Sequence, residues 1–414
     1  MSKTKNKMKY VIIGGGIASL GCIDGIRKED TDGEITLICG ENVLPYSRPL
    51  ISYYLEGRTD FEKMNYRSED FYKSNNVTVK LGVTAEKIEG KCVKCSDGSE
   101  VAFDRLLVAT GSSPFVPPVS GAETVEKSFT FMTEADALAI ENAVTPKSRV
   151  LIVGAGLIGL KCAEGLFGRV KEITVCDLAD RALSSILDSE CASYVEKKLT
   201  ENGIKLMLGD SAESFDKNTA KMKSGRTVEF DVLVMAVGVR PNISLLRDIG
   251  AKINRGAVVN DKMETSVKDI YAAGDLTESR DISSGTDKVM AILPNAYMGG
   301  RCAGRNMAGA DDEFDNKIPM NSIGLFGCHI MSAGSYDGDV YEEKTGDGLK
   351  KLFTKDNRLT GFILINNNDR AGIYTSLIRN KTPLDTIDFE KIKKNPSLLP
   401  FSYEYRRKNL GGVL

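Results

Sequence analysis

Two glycine-rich loops constrain this chain most. Residues 10–13 form a short apolar run that ends in Gly14-Gly15-Gly16-Ile17-Ala18-Ser19, and helical spacing follows to about Arg27. A polar loop with Asp30, Asp32 and Gly33 leads to a second strand over residues 34–39. At residue 149 the unit begins again. A strand to Val153 enters Gly154-Ala155-Gly156-Leu157-Ile158-Gly159, then a helix runs to about Phe167 and a strand covers residues 172–176. Strand, tight glycine turn, helix and strand make a βαβ unit, whose parallel strands need the crossover helix. Two such units about 140 residues apart predict an α/β chain with two Rossmann-like domains.

The chemistry of the loops follows from their residue types. Gly154 permits the tight turn, Gly156 lets backbone approach a pyrophosphate, and Gly159 lets the helix sit close to the strand. The first helical turns, with Ile17 and Ala18 in one unit and Ile158 in the other, offer N–H groups to phosphate. Asp177 comes 18 residues after Gly159. A carboxylate there accepts hydrogen bonds from a ribose diol and repels a 2′-phosphate, which favours NADH over NADPH, with Arg181 working slightly against that preference. The first loop has Ser19 in place of the third glycine, and its carboxylate is Glu41, displaced by Gly40 and a longer polar loop. Gly14, Gly16 and Glu41 form the candidate first site. Gly154, Gly156, Ile158, Gly159 and Asp177 form the second.

Between the units, residues 77–83, 85–96 and 100–109 read as strands, with a turn at Asp97-Gly98. A stretch from Thr110 through Pro118 reads as a linker. The second unit has a hairpin near Ser224-Gly225 and a strand over 232–237, and Ala272-Ala273-Gly274-Asp275 precedes a helix from about Asn295 to Met307. From residue 317 the pattern becomes α+β. The expected division is residues 1–117 with 246–316 for the first dinucleotide domain, 118–245 for the second, and 317–414 for a C-terminal domain with a basic tail.

Composition excludes other chemistries. One histidine, His329, makes a poly-histidine metal site impossible, and no metal site is expected. Nine cysteines, an odd number spread along the chain, read as reduced cytoplasmic thiols and not as a secreted disulfide framework. A net charge of −2 gives no field for nucleic acid. The N-terminal lysines, Lys3, Lys5, Lys7 and Lys9, lead into a run broken by three glycines, which reads as a basic leader into a strand. The apolar run 150–160 is shorter than the ~18 residues a membrane span needs.

Further segments carry a family resemblance: Ala109-Thr110-Gly111, Ala236-Val237-Gly238-Val239-Arg240-Pro241-Asn242, Tyr271-Ala272-Ala273-Gly274-Asp275 and Leu293-Pro294-Asn295-Ala296. In this order, with both glycine loops, the chain resembles the FAD-dependent pyridine-nucleotide oxidoreductases with two dinucleotide-binding domains, over residues 9 to 365. The resemblance implies an FAD domain in two pieces, an NAD domain inserted between them, and a C-terminal domain that closes the flavin site. It implies that Gly14, Gly16 and Glu41 hold the FAD pyrophosphate and adenosine ribose. Asp275 would bond the ribityl chain, and the helix at Asn295 would point its N-terminus at the flavin. Ala109, Thr110, Gly111 and Gly238 belong to the same cofactor-binding set.

Residues 45–52, Pro-Tyr-Ser-Arg-Pro-Leu-Ile-Ser, are similar to the nitrite, rubredoxin and ferredoxin reductase branch, in which the arginine, here Arg48, contacts FAD. Branches that use a redox dithiol or a single redox cysteine carry it in this segment, and this chain has no cysteine between Cys39 and Cys92. Cys92 and Cys95 form a C-x-x-C on a strand, where residues three apart face opposite ways, so the pair reads as structural. Cys39, near the expected FAD ribose, merits a thiol-blocking test. His329 does not sit in the family's histidine–glutamate relay. Two departures stand out. Lys161 occupies a position where many relatives have a glutamate near the nicotinamide, and Tyr53 one where ferredoxin reductases tend to carry lysine.

The sequence therefore predicts an NADH-dependent FAD flavoprotein with no catalytic side chain strictly required. It would deliver electrons to a rubredoxin, a ferredoxin or another Fe-S subunit, as a monomer or homodimer. The tail residues Lys391, Lys393, Lys394, Arg406, Arg407 and Lys408 would dock a small acidic electron carrier. Two alternatives are an NADH oxidase without a redox cysteine and an NADH-sensing FAD-binding interaction protein.

Overall fold

A computed structural model describes residues 7–410. The leader residues Lys3 and Lys5, and the Lys408 side chain, lie outside the described residues.

The first sheet has five parallel strands in the order Ile270–Ala272, Arg105–Val108, Lys9–Ile13, Glu34–Ile38, Val77–Lys80. Strand Ile270–Ala272 joins this sheet after the whole second unit has intervened. The second sheet is also five-stranded and parallel: Lys205–Leu208, Glu172–Asp177, Arg149–Val153, Val232–Met235, Ser128–Phe129. Its strands are apolar on both faces, as a doubly covered parallel sheet requires. Val150, Ile152, Val232 and Val234 enter one core, and Leu151, Val153, Leu233 and Met235 enter another.

The C-terminal sheet is antiparallel, in the order Met320–Leu325, Cys328–Gly334, Arg358–Ile365, Gly348–Lys355, Asp339–Thr345. Its period-two alternation assigns its faces. Ile330, Ile363 and Ile365 join the core of the second domain, whereas Phe362 and Leu364 pack with helix Ala371–Arg379. The C-terminal sheet is thus welded to the second domain through one face.

Two expected strands divide. Residues 85–96 form Ala85–Glu89 and Cys92–Cys95, paired antiparallel, because Gly90 turns the chain with φ +59°. Residues 100–109 split into Glu100–Ala102, in that small sheet, and Arg105–Val108, in the parallel sheet. Asp104 marks the break, its carboxylate accepting from Lys9 N at 2.8 Å.

Helix Ile17–Glu29 crosses helix Leu293–Met307 at backbone contact. A Cβ on Gly21, Gly25, Gly300 or Gly304 would stand 1.9–2.3 Å from a carbonyl oxygen of the other helix. That crossing consumes part of the glycine content and brings the two helix N-termini to one side of the first sheet.

Candidate functional site

The two glycine loops have the same geometry. Gly14 has φ +121°, and a Cβ there would lie 2.1 Å from Ala109 O; Gly154 has φ +118°, with Ala236 O at 2.3 Å. Gly14 N donates to Ile38 O at 2.8 Å, and Gly154 N to Cys176 O at 2.7 Å. No L side chain fits either position without displacing a neighbouring strand. Around Gly16 and Gly156 the space is open, with nothing within 4 Å of an added Cβ.

Gly16 and Gly156 are the N-caps of helices Ile17–Glu29 and Leu157–Leu166, and neither helix has a side-chain cap or an acidic first turn. Four other helices are capped by side chains, from Asp60, Thr133, Asp188 and Asp388, while helices such as Leu293–Met307 and Ala371–Arg379 are not. Uncapped N–H groups, including those of Ile17, Ala18 and Ile158, beneath open space suit a pyrophosphate.

The third loop position separates the units. At Gly159 a Cβ would come 2.0 Å from Gly154 O, so glycine is required. At Ser19 the helix stands far enough away for a side chain, and the buried hydroxyl donates to Gly14 O. The serine thus ties the helix to the loop.

Glu41 and Arg48 meet: Arg48 Nη2 lies 2.5 Å from Glu41 Oε1. Tyr46 OH donates to Glu41 Oε2 at 2.8 Å and accepts from Glu134 N at 2.8 Å. Tyr46, absent from the sequence-derived site, has only its aromatic ring as a signal in residues 45–52. Each charged side chain of the pair is about one-third exposed. Such a pair contributes at most about 1 kcal/mol to stability, so the charges are available to a ligand.

Arg48 also reaches Asp275 electrostatically. Burial pushes the Asp275 carboxyl above its ordinary range, while the Ser112 hydroxyl, at 3.3 Å, and the Arg48 charge act the other way. Asp275, more than 200 residues along the chain, thus comes within electrostatic reach of Arg48 and its Glu41 partner.

Thr110, Gly111 and Gly238 lie in the ribbon that connects the two domains. Strand Ser112–Pro114 pairs with Val239–Pro241. Asn242 seals the ribbon: its Nδ2 donates to Thr110 O at 2.9 Å, and Thr110 Oγ1 donates to Asn242 O at 2.8 Å. Ala109 N donates to Ile13 O at 2.7 Å, which holds the Gly14 turn. The Asn295 side chain is engaged inside the protein, donating to Ile318 O at 3.0 Å. It lies in the first turn of helix Leu293–Met307, and its buried Oδ1 has no hydrogen-bond partner.

Asp177 accepts from Ala155 N at 2.6 Å and Ala179 N at 2.8 Å, so it closes the glycine loop and the turn after its strand. Arg181 pairs with Asp180 and donates to Leu187 O, away from Asp177.

All nine cysteines are free, and eight are buried. Burial pushes Cys39 up to about 12, with the Glu41 charge adding to it, and Cys39 packs against Gly15. Cys92 is partly exposed and Cys95 buried, on alternate faces of their strand. No cluster of metal-ligating side chains occurs among the described residues. His329 is exposed on the C-terminal hairpin. In the tail, Lys391 pairs with Asp388 at 2.7 Å and Lys393 with Glu390 at 2.6 Å, whereas Lys394 and Arg407 are exposed. No helix among the described residues is long and apolar enough to cross a membrane.

The family model described as pyridine nucleotide-disulphide oxidoreductase matches residues 8–300, which takes in both glycine loops. The chain belongs to this family. As a pyridine nucleotide-disulphide oxidoreductase it is an NAD(P)H-dependent FAD enzyme, with FAD and NADH as its cofactors. It is 32% identical to the NADH-dependent phenylglyoxylate dehydrogenase subunit epsilon of Aromatoleum evansii, over 93% of this chain and 94% of that one. It is 35% identical to an NADH oxidase of Methanocaldococcus jannaschii, over 74% of this chain and 71% of that one. Among solved structures, NADH:rubredoxin oxidoreductase from Clostridium acetobutylicum superposes with a TM-score of 0.74 at 25% identity, covering 94% of this chain and all of that one.

Proposed function

We propose that this flavoprotein takes a hydride from NADH and passes the electrons to a small Fe-S protein, either a free rubredoxin or ferredoxin or a subunit of a larger enzyme. The observation that carries the proposal is the placement of the thiols. None of the nine lies in the Arg48 segment between the two domains, eight are buried, and Cys92 sits on a peripheral hairpin. FAD, when bound, supplies the step from a two-electron donor to one-electron acceptors. The named relatives, a rubredoxin reductase and a dehydrogenase subunit, support an acceptor of this kind.

The chain's own residues orient and shield. Gly14, Gly16, Ile17 and Ala18 would hold the FAD pyrophosphate, Glu41 the adenosine ribose, and Asp275 the ribityl hydroxyls, with Arg48 balancing both carboxylates. Ala109, Thr110 and Gly111 would fix the floor of that cradle, and the first turn at Asn295 would direct its N–H groups at the flavin. Gly154, Gly156, Ile158 and Gly159 would hold NADH, Asp177 its ribose, and Gly238 its passage between the domains. We take residues 1–117 with 246–316 as the FAD domain, 118–245 as the NAD domain and 317–414 as the C-terminal domain.

The acceptor would dock at the tail through Lys394 and Arg407, in a segment that also exposes Leu399 and Tyr403, by 79% and 70%. Replacing the tail lysines by glutamate should slow reduction of an acidic carrier but not of a small dye. Equal slowing of both rejects the docking.

The M. jannaschii relative favours a second reading, an oxidase that gives its electrons to oxygen. Rates in air and under argon with a saturating rubredoxin separate the two. Carrier reduction that outpaces oxygen consumption supports the carrier; the reverse supports the oxidase.

A further inference from the structure

The NAD-side helix Leu157–Leu166 and its C-cap Phe167 present Lys161, Glu164 and Phe167 at three-residue spacing, along one face. All three reach the tip of the C-terminal hairpin built from Met320–Leu325 and Cys328–Gly334. Lys161 Nζ donates to Gly324 O at 3.3 Å, Glu164 Oε1 accepts from Phe326 N at 2.6 Å, and the rings of Phe167 and Phe326 meet edge to face at 5.3 Å. Lys161 is also ion-paired with Glu164, and its ammonium lies 4.7 Å from the centroid of the Tyr53 ring. Tyr53 belongs to helix Ile51–Leu55, which begins three residues after Arg48.

That helix touches the NAD-side helix at Gly165, where a Cβ would stand 3.0 Å from Leu55 Cβ and from Ser52 O. The contact matters because hydride transfer needs the two redox rings in contact, although their pyrophosphates sit on different sheets. The segment carrying Arg48 and Tyr53 meets the NAD-side helix there. Lys161 and Glu164 side chains are 19% and 16% exposed, so water and salt screen them weakly.

We propose that Lys161 is a positioning residue for hydride transfer: held between Tyr53, Glu164 and Gly324, its ammonium places positive charge where the cofactors meet and favours the negatively charged, reduced flavin. The inference rests on the flavoprotein reading above. Hydride transfer moves two electrons and a hydrogen from NADH, leaves NAD⁺, and adds one negative charge to the flavin until water supplies a proton. A nearby cation therefore stabilises the product side. Glu164 opposes that charge while its other oxygen holds the hairpin tip.

The test is the flavin midpoint potential, measured by dye equilibration without NADH. Lys161→Met should lower the ratio of reduced to oxidised flavin about tenfold at fixed solution potential, which is about 30 mV for a two-electron couple. Glu164→Gln keeps an oxygen for Phe326 N and should raise that ratio. Lys161→Arg should leave it near wild type. A fall in Lys161→Met together with a rise in Glu164→Gln supports the proposal, and the reverse pair of shifts overturns it. Equal potentials, or shifts of the same sign, overturn it. A wild-type protein that takes up no FAD overturns the flavoprotein reading itself, and the inference with it.

Discussion

Arg48 Nη2 stands 2.5 Å from Glu41 Oε1, so two side chains expected to grip the same cofactor are paired with each other. The pairing keeps an anion and a cation of the cradle in place at little cost, because exposed pairs are weak. Arg48→Ala should lower FAD affinity at least about tenfold, roughly 1.4 kcal/mol, with a Tm change small by comparison. Flavin retained through gel filtration, quantified by absorbance, checks this; unchanged retention removes Arg48 from the site.

Asp275 is a carboxylate the fold holds at a cost. Its folded pKa is raised by burial, so the folded state binds a proton more readily than the unfolded chain. Apoprotein stability should therefore increase as pH falls from the raised value toward the ordinary carboxylate range of ~4. Asp275→Asn should raise the apoprotein Tm near neutral pH yet weaken FAD binding. A lower Tm with unaltered FAD affinity would assign Asp275 a structural role.

Asp177 already accepts two backbone N–H groups, and a carboxylate has further lone pairs for a ribose. Asp177→Ala should raise the KM for NADH about tenfold, ~1.4 kcal/mol of lost binding, with kcat nearly unchanged. Steady-state kinetics at saturating acceptor provide the comparison. A fall in kcat at constant KM would place Asp177 outside ribose recognition.

The thiols should be inert where they are buried. Thiol-reactive dye applied to the native protein at pH 8 should label Cys92 and spare the other eight, since thiolate formation is suppressed by burial at Cys39, Cys176, Cys302 and Cys328. Peptide mapping identifies the labelled site. The labelled enzyme should reduce its acceptor at the original rate; loss of activity would give a cysteine a redox role.

The fold was legible where local chemistry repeats. Both glycine loops and their flanking strands and helices follow from residue type and spacing, as does the alternate facing of Cys92 and Cys95. Two strands were over-extended, because Gly90 and the Asp104 break interrupt runs whose apolar pattern continues across them. The seal at Asn242 and the grip of Lys161 and Glu164 on the hairpin tip depend on distant chain segments, which no local pattern reports. The six tail cations are expected from sequence to dock an acidic carrier, whereas Lys391 and Lys393 are held by acids three residues earlier on their own helix turn.

If flavin alone carries the electrons, an anaerobic NADH titration of the FAD-loaded protein should show it. One NADH per FAD should bleach the visible flavin band completely, with a single end point. A requirement for two NADH per FAD would reveal a second two-electron centre, such as a redox-active thiol pair, and would contradict it.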